Sequence, residues 1–113
     1  MTAAQLELSL SPLVTPDYAP EATIQERYEA WRDANPWVVP AIARLLDEWS
    51  EHGGRRVGVK AACEWLRRDY QRLTRDYQGF AVNNSYSSRL ARDLIARYPH
   101  LAAVIETRQL KAA

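Results

Sequence analysis

Apolar residues recur along most of the chain at spacings of three and four, and the breaks between these runs divide it into four helices. The first opens at Thr23-Ile24-Gln25-Glu26, a Thr-x-x-Glu pattern that satisfies the free amides of a helix start with two reciprocal hydrogen bonds. Ile24, Tyr28 and Trp31 follow at helical spacing and predict an amphipathic helix to about Ala34. Asn35-Pro36 predicts a second start, with Asn as the cap and Pro at the first helical position. Val38, Ile42, Leu45, Leu46 and Trp49 form its apolar face, and Pro40 either moves the start to Val39 or bends the helix. His52-Gly53-Gly54 ends it, because glycine readily takes the left-handed conformation of a C-terminal cap. The third helix runs from about Lys60 to Leu73, with Ala62, Trp65, Leu66 and Leu73 inward and Arg67, Arg68 and Arg72 outward. Residues 74–82 break the pattern, with a turn at Gly79. The fourth helix spans about Ser85 to Tyr98, buries Leu90, Ala91, Leu94, Ile95 and Tyr98, and stops at Pro99.

Two short stretches read as strands. "RRVGV" (Arg55 to Val59) sets Val57 and Val59 on one side, and Ala103 to Leu110 holds the β-branched residues Val104, Ile105 and Thr107. Residues 1–22 carry Pro12, Pro16 and Pro20 without a sustained pattern, so they read as a flexible, extended N-terminal arm ahead of one domain over residues 23–113. Within the arm, "QLELSL" loosely resembles the Gln-Leu-x-Leu-Phe peptides that bind bacterial sliding clamps, with Ser9 in place of the aromatic residue. A plain tail, or a strand covering the domain, are the other readings.

A chain of 113 residues with 47% hydrophobic content supports one modest core. No apolar run approaches the roughly 20 residues needed to span a bilayer, and the N-terminus lacks the pattern of an export signal, which predicts a soluble cytoplasmic protein. The net charge of +1 conceals an asymmetry: three basic and nine acidic residues up to Gly54, then twelve basic and five acidic. Such a division suggests a surface for a polyanion in the second half. The competing reading is that the two halves attract one another.

Candidate chemistry adds little to this. The lone Cys63 has no disulfide partner and no neighbours at metal-ligand spacing, and reads as a small packed residue. His52 and His100 sit near helix ends, the acids are scattered, and Gly53-Gly54 begins neither a P-loop nor a dinucleotide fold. No catalytic residue, metal or cofactor is expected, and the chain reads as noncatalytic.

The run "NNSYSSRLAR" (Asn83 to Arg92) is more specific. A helix start carries unsatisfied N–H groups and the positive end of a dipole, which attract phosphate. Arg can pair with guanine, Asn with adenine, and Ser or Tyr with phosphate, from the first turns of a helix in a major groove. Asn83, Asn84, Ser85, Tyr86, Ser88, Arg89 and Arg92 are therefore candidate DNA contacts, with Asp93 at the rim; Arg55, Arg56, Lys60, Arg108 and Lys111 are candidate phosphate contacts. The same asparagines and serines would also serve as ordinary helix caps. The order helix, short strand, helix, helix, terminal strand over about residues 35–111 resembles a winged helix-turn-helix domain, enlarged at the turn between the paired helices. That predicts a mainly α, single small domain with short β strands that binds double-stranded DNA. "NPWV", "NNSYSSRLAR" and the ending "ETRQLK" resemble small uncharacterised proteins of bacteriophages and actinobacterial prophages, which implies a phage regulatory or DNA-maintenance setting. The alternative is a module that engages a host protein through the acidic half or the arm.

Overall fold

A computed structural model describes residues 10–107; Arg108, Lys111 and most of "QLELSL" lie outside them. Four α-helices form the described domain: α1 (Ile24–Ala34), α2 (Val38–Glu51), α3 (Val59–Thr74) and α4 (Ser87–Arg97). The capping box forms, with Glu26 N–H donating to Thr23 Oγ1 at 3.1 Å and Thr23 N–H to Glu26 Oε1 at 3.0 Å. α2 is the central element: it packs on α3 and α4, and α3 packs on α4. Ile42 and Leu46 from α2, Leu66 from α3, and Leu90 and Leu94 from α4 are fully enclosed.

The start of α2 differs from expectation. Asn35 is not its cap; it ends α1 and is buried, while α2 begins at Val38 after a Pro36-Trp37 turn. Pro40 consequently falls in the first turn, where a missing N–H removes no helical hydrogen bond, and no bend is required. Gly53 takes φ +80° in the turn after α2, and the Trp49 indole lies so close over Gly54 that a Cβ there has no room.

Strand expectations reduce to a single contact. Val57 and Ile105 form a parallel bridge, the only β pairing among the described residues: Val57 N–H donates to Val104 O at 2.9 Å and Glu106 N–H to Val57 O at 2.8 Å. Val59 is the first residue of α3, not a strand residue, and Pro99 opens a 3-10 turn, Pro99–Ala103, that takes in Ala103, where a closing strand was expected to begin. Leu101, Val104 and Ile105 are buried, so the β-branched residues close the core without building a sheet.

Residues 10–19 form neither helix nor strand before a turn at Pro20-Glu21, and they are fastened to the domain. The Asn35 amide clamps the backbone of Val14, accepting from its N–H at 2.7 Å and donating to its carbonyl at 2.8 Å. Leu10 and Leu13 pack against the core, Arg27 stacks over the Tyr18 ring at 5.7 Å and donates to Pro20 O at 3.3 Å.

The tryptophans divide between core and surface. Trp31 is buried, Trp37 and Trp65 are partly so, and Trp49 keeps 38% of its surface exposed while packing on Trp65 with ring centroids 5.0 Å apart. No helix among the described residues is long and apolar enough to cross a membrane.

Candidate nucleic-acid interface

α4 is preceded by a single 3-10 turn, Asn84–Tyr86, so the expected start at Ser85 is tighter and the α-helix proper begins at Ser87. Asn83 provides the cap, its Oδ1 accepting from Ser85 N–H at 2.8 Å. Leu90, Ala91 and Leu94 bury one face of α4. The opposite side leaves Asn84, Ser85, Ser88 and Arg92 exposed at and beyond the N-terminal tip.

Tyr86 does not belong to that exposed set. Its ring is 4% exposed and packs on Tyr28 and Trp31, each at a centroid distance of 5.5 Å, not on Phe80. Burial, followed by its contact with the Tyr18 hydroxyl, pushes the Tyr86 phenol up to about 12. An aromatic residue with helical-stripe spacing is core first, and Tyr86 is corrected from a DNA contact to a packing residue.

The two arginines differ. Arg92 is exposed, with Nε donating to Ser88 O at 3.4 Å within its own helix. Arg89 is half-buried against α1, where Nε donates to Gln25 Oε1 at 2.9 Å. Asp93 turns away from the tip: Tyr28 donates to its Oδ2 at 2.5 Å and Arg32 to the same oxygen at 3.0 Å. Burial, then the Asp93 hydrogen bond, holds the Tyr28 proton well above the usual phenol range.

Lys60 lies in the first turn of α3, across an open cleft of about 420 Å³ from the start of α4. Lys60, Cys63, Glu64 and Arg67 line one wall, and Phe80, Ala81, Val82, Asn84 and Ser87 the other. Arg56 is instead held at the closing turn, donating to Ala102 O at 3.0 Å and Ile105 O at 3.1 Å. Arg55 is exposed, and its carbonyl accepts from Trp49 Nε1 at 2.6 Å. The structure thus brings Lys60 beside Asn84, and ties Arg56 and Arg89 to neighbouring elements. No family model, curated protein or solved structure matches this chain.

Spacing alone misses the cleft, because its walls are separated by the long turn after α3. That turn is internally bonded, with Gln71 Nε2 donating to Tyr77 O at 3.2 Å and Gln78 N–H to Asp76 Oδ1 at 3.1 Å. Phe80 leaves it to pack on Tyr70 and Trp37, at 5.5 and 6.3 Å between centroids, and so fixes the second wall. An aromatic residue after a glycine turn is the one sequence signal for this anchor.

No group of three or more metal-ligating side chains occurs among the described residues.

Proposed function

We propose that this chain is a noncatalytic DNA-binding protein in which the tip of α4 enters the major groove of a duplex and Lys60 contacts the adjoining backbone. The observation that carries the reading is the exposed polar end of α4, set on a helix whose opposite face is locked in the core. Rigid placement of a few side chains at a helix start is what groove recognition requires. Asn84, Ser85, Ser88 and Arg92 make the groove and phosphate contacts, and Arg55 extends the basic surface.

The arrangement is winged-helix-like: α3 and α4 are the paired helices, and the Val57–Ile105 contact stands where a small sheet would be, reduced to one bridged residue. The run from Asn83 to Arg92 supports a phage or prophage regulatory setting. Leu10 and Leu13 pack on their own domain, which favours DNA over capture of a host protein by that part of the arm.

Fluorescence anisotropy with a labelled duplex tests this. Affinity should fall by about fortyfold between 50 and 200 mM salt if Lys60, Arg92 and Arg55 each engage one phosphate. Lys60→Ala combined with Arg92→Ala should weaken binding and lower the salt slope by about two, one for each lost phosphate contact, with the circular dichroism spectrum unchanged. Affinity insensitive to both salt and the double substitution refutes the proposal.

A further inference from the structure

The cleft beside α4 has chemistry that a phosphate contact does not use. Its floor is apolar and fixed: Cys63 is 8% and Phe80 5% exposed, and Phe80 is wedged between Tyr70 and Trp37. On the rim, the side chains of Lys60, Asn84 and Ser87 have no hydrogen-bond or ionic partner among the described residues, whereas Glu64 is paired with Arg67 at 2.8 Å. Its volume of about 420 Å³ falls in the range of sites that enclose small ligands.

A bare phosphate would use only the rim, because it has no apolar face to set against the Cys63 and Phe80 floor. A nucleobase suits both parts. It has apolar faces for the floor and an edge of alternating donors and acceptors, which the Asn84 amide and Ser87 hydroxyl can meet in either sense, while Glu64 accepts from an exocyclic amine. Lys60 at the mouth is then placed for the phosphate of the same nucleotide.

We infer that the cleft between α3 and the start of α4 receives one unpaired base of the bound DNA. This rests on the DNA reading above and adds to it a preference for DNA in which a base is already out of its stack. In a perfect duplex the base must first be unstacked and unpaired, which opposes binding; a bulged nucleotide has largely met that cost.

The test compares three DNAs by anisotropy: a perfect duplex, the same duplex with a one-nucleotide bulge, and that bulge made abasic. The bulge should bind about tenfold tighter than the perfect duplex, and the abasic bulge should return to the duplex value. Ala81 lines the cleft and is exposed, so Ala81→Trp fills the space from its edge; it should remove the preference for the bulge and leave duplex affinity unchanged. Equal affinity for all three DNAs overturns the inference while leaving duplex binding standing. So does an abasic bulge that binds as tightly as the intact one, since flexibility and not the base would then be recognised. A preference that survives Ala81→Trp also overturns it. Absence of binding to every DNA instead sinks the duplex reading on which the inference rests.

Discussion

Asn35→Ala should loosen the N-terminal strap and destabilise the domain by an amount that reports how the strap is held. The amide makes three hydrogen bonds: two to the Val14 backbone, and one to Trp31 O at 2.9 Å. Trp31 O keeps the Asn35 backbone N–H as a donor at 3.0 Å, so the uncompensated loss is at Val14. At about 1 kcal/mol net for each hydrogen bond, those two contribute about 2 kcal/mol. If the strap then peels away, the partial burial of Leu10 and Leu13 is lost too, adding about 1 kcal/mol for each half-buried leucine. For a domain of this size the melting temperature should fall by about 4 °C per kcal/mol, hence by about 8 °C with the strap still seated and about 16 °C with it released. Thermal melts followed at 222 nm measure this, and a double-mutant cycle with Leu13→Ala separates the two cases. If Asn35→Ala releases the strap, Leu13→Ala destabilises the wild type but adds almost nothing in the Asn35→Ala background. Strictly additive effects of the two substitutions identify the seated case and non-additive ones the released case; a shift below about 2 °C, set against the expected stability scale, would refute the clamp.

Two further outcomes follow from single residues. Burial, reinforced by the Glu64 charge, pushes the Cys63 thiol up to about 12. Native protein should therefore resist alkylation near pH 8, whereas urea-unfolded protein reacts at once, and rapid native labelling would contradict that burial. The folded pKa lies above the unfolded one, so the contribution of this thiol to stability is complete below about pH 9 and is lost as the pH rises towards 12. Arg75, at φ +60° after α3, holds a left-handed conformation that disfavours any side chain. Arg75→Gly should raise stability by about 0.5–1 kcal/mol, seen as a higher urea midpoint with an unchanged slope; a lower midpoint would mean the arginine side chain contributes more than its backbone strain costs.

Local signals in this sequence translate well where the partner is close along the chain. The Thr23–Glu26 box and Gly53 are one-turn devices, and both take the geometry their residues specify. Leu90, Ala91 and Leu94 obey the same logic over little more than one turn. Legibility fails where the partner is distant. Asn35 before Pro36 has every local feature of a cap, but its amide satisfies Val14, 21 residues upstream, and no pattern near either residue announces that bond. Tyrosines divide for another reason: Tyr28 is legible from its helical spacing, but Tyr70 and Tyr86 are amphipathic, and only packing decides that their rings are enclosed. Val59 and Ile105 carry real β preference, but the first lies at the start of α3 and the second reaches a single bridge, so tertiary placement overrides propensity. Of the candidate interface, the polar tip was legible from composition and spacing; the Lys60 side of the cleft was not, because it depends on how α3 packs beside residues 80–87.

The opposite charges of the two halves acquire meaning from where the ion pairs form. Arg67 pairs with Glu64 and Arg72 with Asp69, each within α3; the first is exposed on both sides and the second on the arginine side, where such pairs contribute little. Among the described residues, no lysine or arginine after Gly54 forms an ion pair with a carboxylate before it; the one attractive contact in that sense is His100 with Asp47. The halves therefore do not neutralise one another by direct pairing. The pair that does join them runs the other way: Arg32 from α1 takes Asp93 from α4. Asp93 adjoins Arg92 in sequence, and left at the tip it would have opposed a phosphate. Drawn inward between Tyr28 and Arg32, its charge is compensated inside the fold, and the outer face of α4 is left with Arg92 and neutral hydrogen-bonding groups. A structural network thus removes a negative charge from the outer face of this helix without adding a single cation to it.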